Sequence, residues 1–143
     1  MVFVLAAGMA ETTAALHRAA ELAANSDSRV IVLVPRIASF TSRDLDSADR
    51  SIQRLNQYRD VSARAGVDAG VHICVCRRVE DIFEQLVSEP STIVIGGRRR
   101  GWLRPTAEWH LARTLVARGH DVVFEELHAD AGMRPARLLE TTS

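Results

Sequence analysis

The sequence predicts an α/β protein: one open sheet of five parallel strands in the order 3-2-1-4-5, Rossmann-like, with helices on both faces. Three observations predict it. Short apolar runs alternate with segments of helical period. Two of those runs, VFVLAA from residue 2 and RVIVLV from residue 29, are almost wholly apolar, as strands buried on both faces must be. Each helical segment is stopped by a residue suited to that task before the next run begins. Strand–helix–strand units of this kind close with right-handed crossovers, so their strands lie parallel.

The first strand, residues 2–7, is closed by Gly8. Residues 11–25 follow with Ala15, Leu16, Ala19, Ala20, Leu22 and Ala23 at helical spacing, and Asn25, Ser26 and Asp27 stop that helix. The second strand covers residues 29–34, where Pro35, lacking an N–H, is expected to cut it. Residues 37–47 read as a polar, serine-rich connection. A longer helix is expected over residues 49–65, carrying Ile52, Leu55, Tyr58 and Val61, with Gly66 placed to end it in left-handed conformation. Residues 68–76 form the third strand, and residues 79–87 a short amphipathic helix broken at Pro90. Residues 91–95 are the fourth strand, running into Gly96 and Gly97. The last helix is expected over residues 106–118, with Thr106 as its N-cap and Gly119 as its stop. DVVFEEL, residues 121–127, is the fifth strand. Residues 1–127 thus form one domain, and the tail, residues 128–143, is expected to hang loose or dock on a partner.

Composition narrows the functions. The 143 residues include 18 basic and 18 acidic side chains, so the formal net charge is zero and any pull on an anion must be local. This argues against nucleic acid as a partner. All 18 basic residues are arginine, which excludes chemistry that needs a lysine, such as a Walker-type phosphate loop or a Schiff base. No apolar stretch approaches the roughly 20 residues of a membrane span. With no basic segment ahead of Val2 and only two cysteines, a cytoplasmic protein without a signal peptide is expected.

The stretch IVIGGRRRGWLRP, from Ile93 to Pro105, carries the strongest functional signal. Ligands of doubly wound sheets bind outside the carboxyl ends of the strands, where the winding reverses. That rim gathers Ala7, Gly8 and Met9, then Val34 with its neighbours up to Arg36, then the loop from Gly96 to Arg104. The loop sets Arg98, Arg99, Arg100 and Arg104 around Gly101 and Trp102. Guanidinium groups hold phosphate oxygens in pairs through charge-assisted hydrogen bonds. The competing reading is a solvated loop whose arginine stems lie over Trp102.

The five-strand plan, the opening VFVLAAG and above all IVIGGRRRGWLR resemble the universal stress protein family, over residues 2–127. Nucleotide-binding members carry Gly-x2-Gly-x9-Gly-Ser/Thr after the fourth strand. Gly96 matches the first glycine, and Gly101 and Leu103–Arg104 match the usual continuation. Arg99 stands where the second glycine should be, and Trp109 and His110 occupy the Gly-Ser/Thr positions. The first strand of such members ends in Asp-Gly-Ser; here it ends in Ala7-Gly8-Met9. Val34, or its neighbour Leu33, lies where the family's second strand lines the adenine pocket. The resemblance implies a small regulatory module whose ligand, where there is one, is ATP or another nucleotide. The departures argue against conventional ATP binding. Arg99 puts a side chain where main-chain N–H groups should meet phosphate, Trp109 fills space near a helix start, and Ala7 supplies no acceptor for the ribose or base.

Other chemistry is weaker. His72, Cys74 and Cys76 alternate along one strand and share a face, but successive members lie about 6.5–7 Å apart, awkward for one metal ion and too far for a disulfide. His110 and His120 have acids only as sequence neighbours, and no G-x-S-x-G elbow is present. DVVFEEL, with Val122 and Phe124 on one face and Val123 and Glu125 on the other, suits a half-covered edge strand. Pairing of that strand between two copies would make a homodimer, as the resemblance also implies; shielding by the tail is the alternative. The expectation is a cytoplasmic, non-enzymatic stress-response module with a diverged nucleotide loop, working as a homodimer and with a regulatory protein partner. The other readings are a weakly hydrolysing ATP-binding protein and a sensory domain like those of potassium-responsive sensor kinases.

Overall fold

The computed structural model describes residues 1–37, 44–85, 87, 89–97, 107–127 and 135–137. Five strands, β1 (Val2–Leu5), β2 (Val30–Ile37), β3 (Ala69–Cys76), β4 (Thr92–Gly97) and β5 (Asp121–Leu127), are all parallel and stand in the order 3-2-1-4-5. A sixth, β6 (Pro135–Arg137), adds antiparallel to β5 at Glu125–Leu127. It comes from the tail, which therefore contributes a strand to the sheet; its three residues carry no apolar alternation that would announce them.

The helices α1 (Met9–Ser26), α2 (Asp44–Arg64), α3 (Val79–Gln85) and α4 (Ala107–Ala117) alternate with the strands. Two cores result, one on each face. Val4, Val32, Val34, Val94 and Val123 pack with Ala15, Leu16 and Ala19 of α1 and Tyr58 of α2. Leu5, Leu33, Ile93, Ile95, Val122 and Phe124 pack with Ile82 and Phe83 of α3 and Leu115 of α4. The uninterrupted apolar runs follow from this, because every central strand is covered on both sides.

Glycines close the helices as expected. Gly66 (φ 71°) and Gly119 (φ 93°) take the left-handed conformation after α2 and α4, and Val67 and His120 return N–H groups to Ser62 and Leu115. After α1, Asp27 does this at φ 50°. Three expectations shift. α1 begins at Met9, two residues early, with Gly8 as its N-cap. α2 begins at Asp44, within the segment expected to be a connection. Pro35 does not cut β2. The Leu33 carbonyl accepts from the Ala6 N–H, so Leu33 faces β1; alternation turns Val34 to β3 and Pro35 back to the β1 side, where β1 has already ended at Leu5. A proline there forfeits no ladder bond.

β5 is also more enclosed than a half-covered edge. Val122, Val123 and Phe124 are buried, and Glu125, 3% exposed, meets Arg18 of α1 at 3.4 Å. With β6 beside Glu125–Leu127, that part of its outer edge is occupied within the chain, in the manner of a shielding tail.

Gly96 fixes how close α1 comes to β4. A Cβ there would run into the main-chain carbonyl of Glu11. Gly96→Ala is therefore expected to cost about 1–3 kcal/mol in urea unfolding. Gly70→Ala, whose Cβ would meet nothing nearer than 3.8 Å, is expected to be close to neutral in the same assay.

His120 accepts the Ser91 N–H at Nδ1 (3.3 Å), and burial, then Arg118, hold its pKa below the ordinary value of 6.5. The unfolded chain then binds a proton that the folded chain resists. The contribution is present above about pH 6.5 and is lost as pH falls towards the folded value. Urea midpoints from pH 8 to pH 5 should fall more steeply for the native chain than for His120→Asn.

Candidate functional site

The winding reverses between β1 and β4, whose registers pair Leu5 with Ile95. The rim beyond them holds Ala7, Gly8 and Met9 on one side and Gly96 and Gly97 on the other. Of these, Gly8 and Gly96 both lie against Glu11. Gly8 caps α1 in extended conformation (φ −60°, ψ 163°) without a side-chain cap of its own. The Glu11 carboxylate lies over Gly8, filling the place a Cβ would take, while the Glu11 main chain lies against Gly96. A glutamate three residues after the N-cap is the residue that turns back to the start of its own helix, where its charge suits the helix dipole.

Ala7 is occupied by the protein itself. Its N–H donates to the Thr12 hydroxyl (2.9 Å), and its carbonyl accepts from the Tyr58 hydroxyl (2.7 Å). Thr12 is wholly buried and Tyr58 nearly so. Tyr58 thus reaches from α2 across the end of β1 and closes it. Val34 is wholly buried in the core it shares with Tyr58, so it does not line an open cleft. The Gly96 main chain is buried too; its lack of a side chain serves the approach of α1. On the β1 side of the rim Ala7 is half-buried with its N–H and carbonyl both engaged by the protein, while Gly8 and Met9 are exposed.

Positive charge stands on the β2 side. Arg36 donates to the Ser51 hydroxyl (2.8 Å) and Arg54 of α2 to the Pro35 carbonyl (3.4 Å), and both arginines are half-buried. Arg98, Arg99, Arg100, Gly101 and Arg104 lie outside the described residues. Trp109 and His110 sit in the first turn of α4, His110 exposed, so the positions matched to the Gly-Ser/Thr pair belong to the helix itself. Met9 lines a groove of about 430 Å³ between α1 and α2, together with Thr13, His17, Gln57, Asp60 and Arg64. That groove runs between the two helices and does not include the glycines of β4.

Sequence reasoning missed Thr12, Tyr58 and Arg54. Tyr58, the single tyrosine, was legible as an inward-facing helix position, but nothing local says that its hydroxyl must find a partner 51 residues away.

The strand ladder of His72, Cys74 and Cys76 shares the α3 face as expected, with Cys74 buried and His72 exposed. Burial, and then Cys76, raise the Cys74 thiol above its ordinary pKa. Burial, and then Asp81, raise that of Cys76, with Glu80 adding and a main-chain hydrogen bond from Arg36 opposing. Both thiols are thus held protonated, which disfavours nucleophilic chemistry. Among the described residues no His, Cys, Asp and Glu cluster is placed to hold a metal ion, and no helix is long and apolar enough to cross a membrane.

The fold can be matched to known structures. A universal stress protein from Archaeoglobus fulgidus superposes with a TM-score of 0.60 at 21% identity, over 87% of this chain and 92% of that one. The chain has the universal stress protein fold. A universal stress family protein from Burkholderia pseudomallei gives 0.57 at 20% identity, covering 86% and 93%. A universal stress protein in complex with cAMP gives 0.55 at 18%, covering 85% and 94%. No protein-family model and no curated protein matches the sequence.

Tyr58→Phe removes the buried hydroxyl and leaves the Ala7 carbonyl without that donor. The expected loss is about 1–3 kcal/mol in urea unfolding. Arg59, the next residue along α2, is exposed, so Arg59→Ala should leave the midpoint nearly unchanged.

Proposed function

We propose that the chain is a non-catalytic regulatory module of universal-stress-protein type, acting in stress response, which takes an anionic ligand on the β4 side of its rim. The ligand class is a phosphate group or an adenine nucleotide, and the arginine-rich loop at residues 98–104 supplies the charge. The observation that carries this reading lies at the β1 end: Ala7 gives its N–H to Thr12, and its carbonyl accepts from Tyr58. A ligand held there in the manner of an Asp-Gly-Ser strand end would find no aspartate, and the Ala7 N–H is already given to Thr12. The Glu11 carboxylate over Gly8 adds negative charge on the same side. Charge for an anion is left to Arg36 of β2, to Arg54 of α2 and to the arginines that follow Gly97.

The cAMP complex of a protein with the same fold supports a nucleotide monophosphate as the ligand to try first. Guanidinium groups suit such a ligand because each can meet two phosphate oxygens at once. Nothing in this reading requires turnover. No lysine is present in the chain, and the pair of raised cysteine pKa values leaves no activated thiol.

A melting panel tests the reading. AMP, cyclic AMP, ATP and inorganic phosphate are added in turn to the native chain and to a variant with Arg98, Arg99 and Arg100 all replaced by alanine. At a hundredfold excess over Kd a ligand adds about 2.7 kcal/mol of stability, a shift of several degrees. The expected outcome is a shift with at least one phosphate ligand that disappears in the triple variant, and no release of phosphate from ATP. No shift with any of them, an equal shift in the triple variant, or steady hydrolysis would each contradict the proposal.

A further inference from the structure

We propose that β3 is a self-association edge, along which two copies pair antiparallel about a twofold axis at Ile73 and join their sheets. The ladder fixes which main-chain groups are open. Leu33 gives its carbonyl to Ala6 and so faces β1; Val34 faces β3. Val34 is in register with Ile73, so it bonds to the residues on either side, His72 and Cys74. Those two turn their N–H and C=O inward to β2. Val71, Ile73 and Val75 turn theirs outward, and among the described residues β3 ends the sheet.

An open edge of this kind is usually guarded by charge, proline or a bulge. β3 has no such charge or proline: AGVHICVC contains no Asp, Glu, Lys, Arg or Pro. Its pairing with β2 also runs residue for residue from Ala69 to Cys76, without a bulge. At the opposite end of the sheet β6 covers Glu125–Leu127 of β5. Apolar surface accompanies the open edge. Val75 is 61% exposed, on the same face as Val71 and Ile73, and α2, which covers that face, leaves Ile52 58% exposed.

The edge fits a second copy of itself. With the axis at Ile73, that residue meets its own equivalent, and Val71 lies opposite Val75 of the partner subunit. Outward-facing residues then oppose outward-facing residues, so each open N–H finds a carbonyl. One face gains a continuous Val–Ile–Val row, and cross-strand pairs of branched side chains are what stabilise such a junction. On the other face His72 lies opposite Cys74, so no like charges meet. The inference is independent of what the rim binds.

Sedimentation across a concentration series, with hydrogen exchange at both ends of it, tests this. The native chain should form a dimer in which the Val71, Ile73 and Val75 amides exchange at least tenfold more slowly than in the dilute monomer. Val75→Pro removes an outward N–H at the cost of no ladder bond, and Val75→Lys places charge on the edge. Each should raise the dimer Kd at least tenfold while leaving the far-ultraviolet circular dichroism unchanged. A chain that stays monomeric at every concentration overturns the proposal, as does a dimer that survives both substitutions. If a variant does not fold, exchange in the native chain decides alone: equal rates for those three amides at both concentrations overturn it.

Discussion

The contact between the Glu11 main chain and Gly96 governs much of this molecule. Because β4 carries no side chain at that point, α1 can lie hard against the centre of the sheet. From there Thr12 reaches the end of β1, and Leu16 and Ala19 enter the core. Further along the same helix, Arg18 reaches Glu125 of β5, so α1 ties β1, β4 and β5 together. A burial as deep as that of Glu125 is tolerable because its charge has a guanidinium partner; removing one member alone would strand the other.

The same contact shapes the rim. With α1 pressed this close, its first turn brings the Glu11 carboxylate over Gly8. Tyr58 closes the remaining main-chain acceptor at Ala7 from the α2 side. The chain therefore engages both the N–H and the carbonyl of Ala7 with its own groups. The Glu11 carboxylate stands on that side, and Arg36 and Arg54 on the β2 side.

Much of the architecture was legible because the signals were local. The apolar runs, the alternation with helices and the glycines after α2 and α4 each report a constraint that acts within a few residues. The misreadings share one cause, which is that the deciding partner was distant. Pro35 looks like a break until β1 is seen to end before reaching it. Gly96 reads as a phosphate-loop glycine, and its position does match one, but the Glu11 main chain already accounts for it. Val34 reads as a pocket wall, yet it is sealed in the core it shares with Tyr58. The β6 strand, with no alternation of its own, borrows its order from β5.

The central claim is that the main chain of Ala7 is engaged by the protein and that an anion is met from the β4 side. Amide chemical shifts of isotope-labelled protein titrated with AMP address it residue by residue. The account predicts saturable changes at Gly97 and the arginines that follow, with the Ala7 and Thr12 amides unmoved. Large changes at Ala7, with loss of the Tyr58 hydroxyl contact and none beyond Gly97, would contradict it.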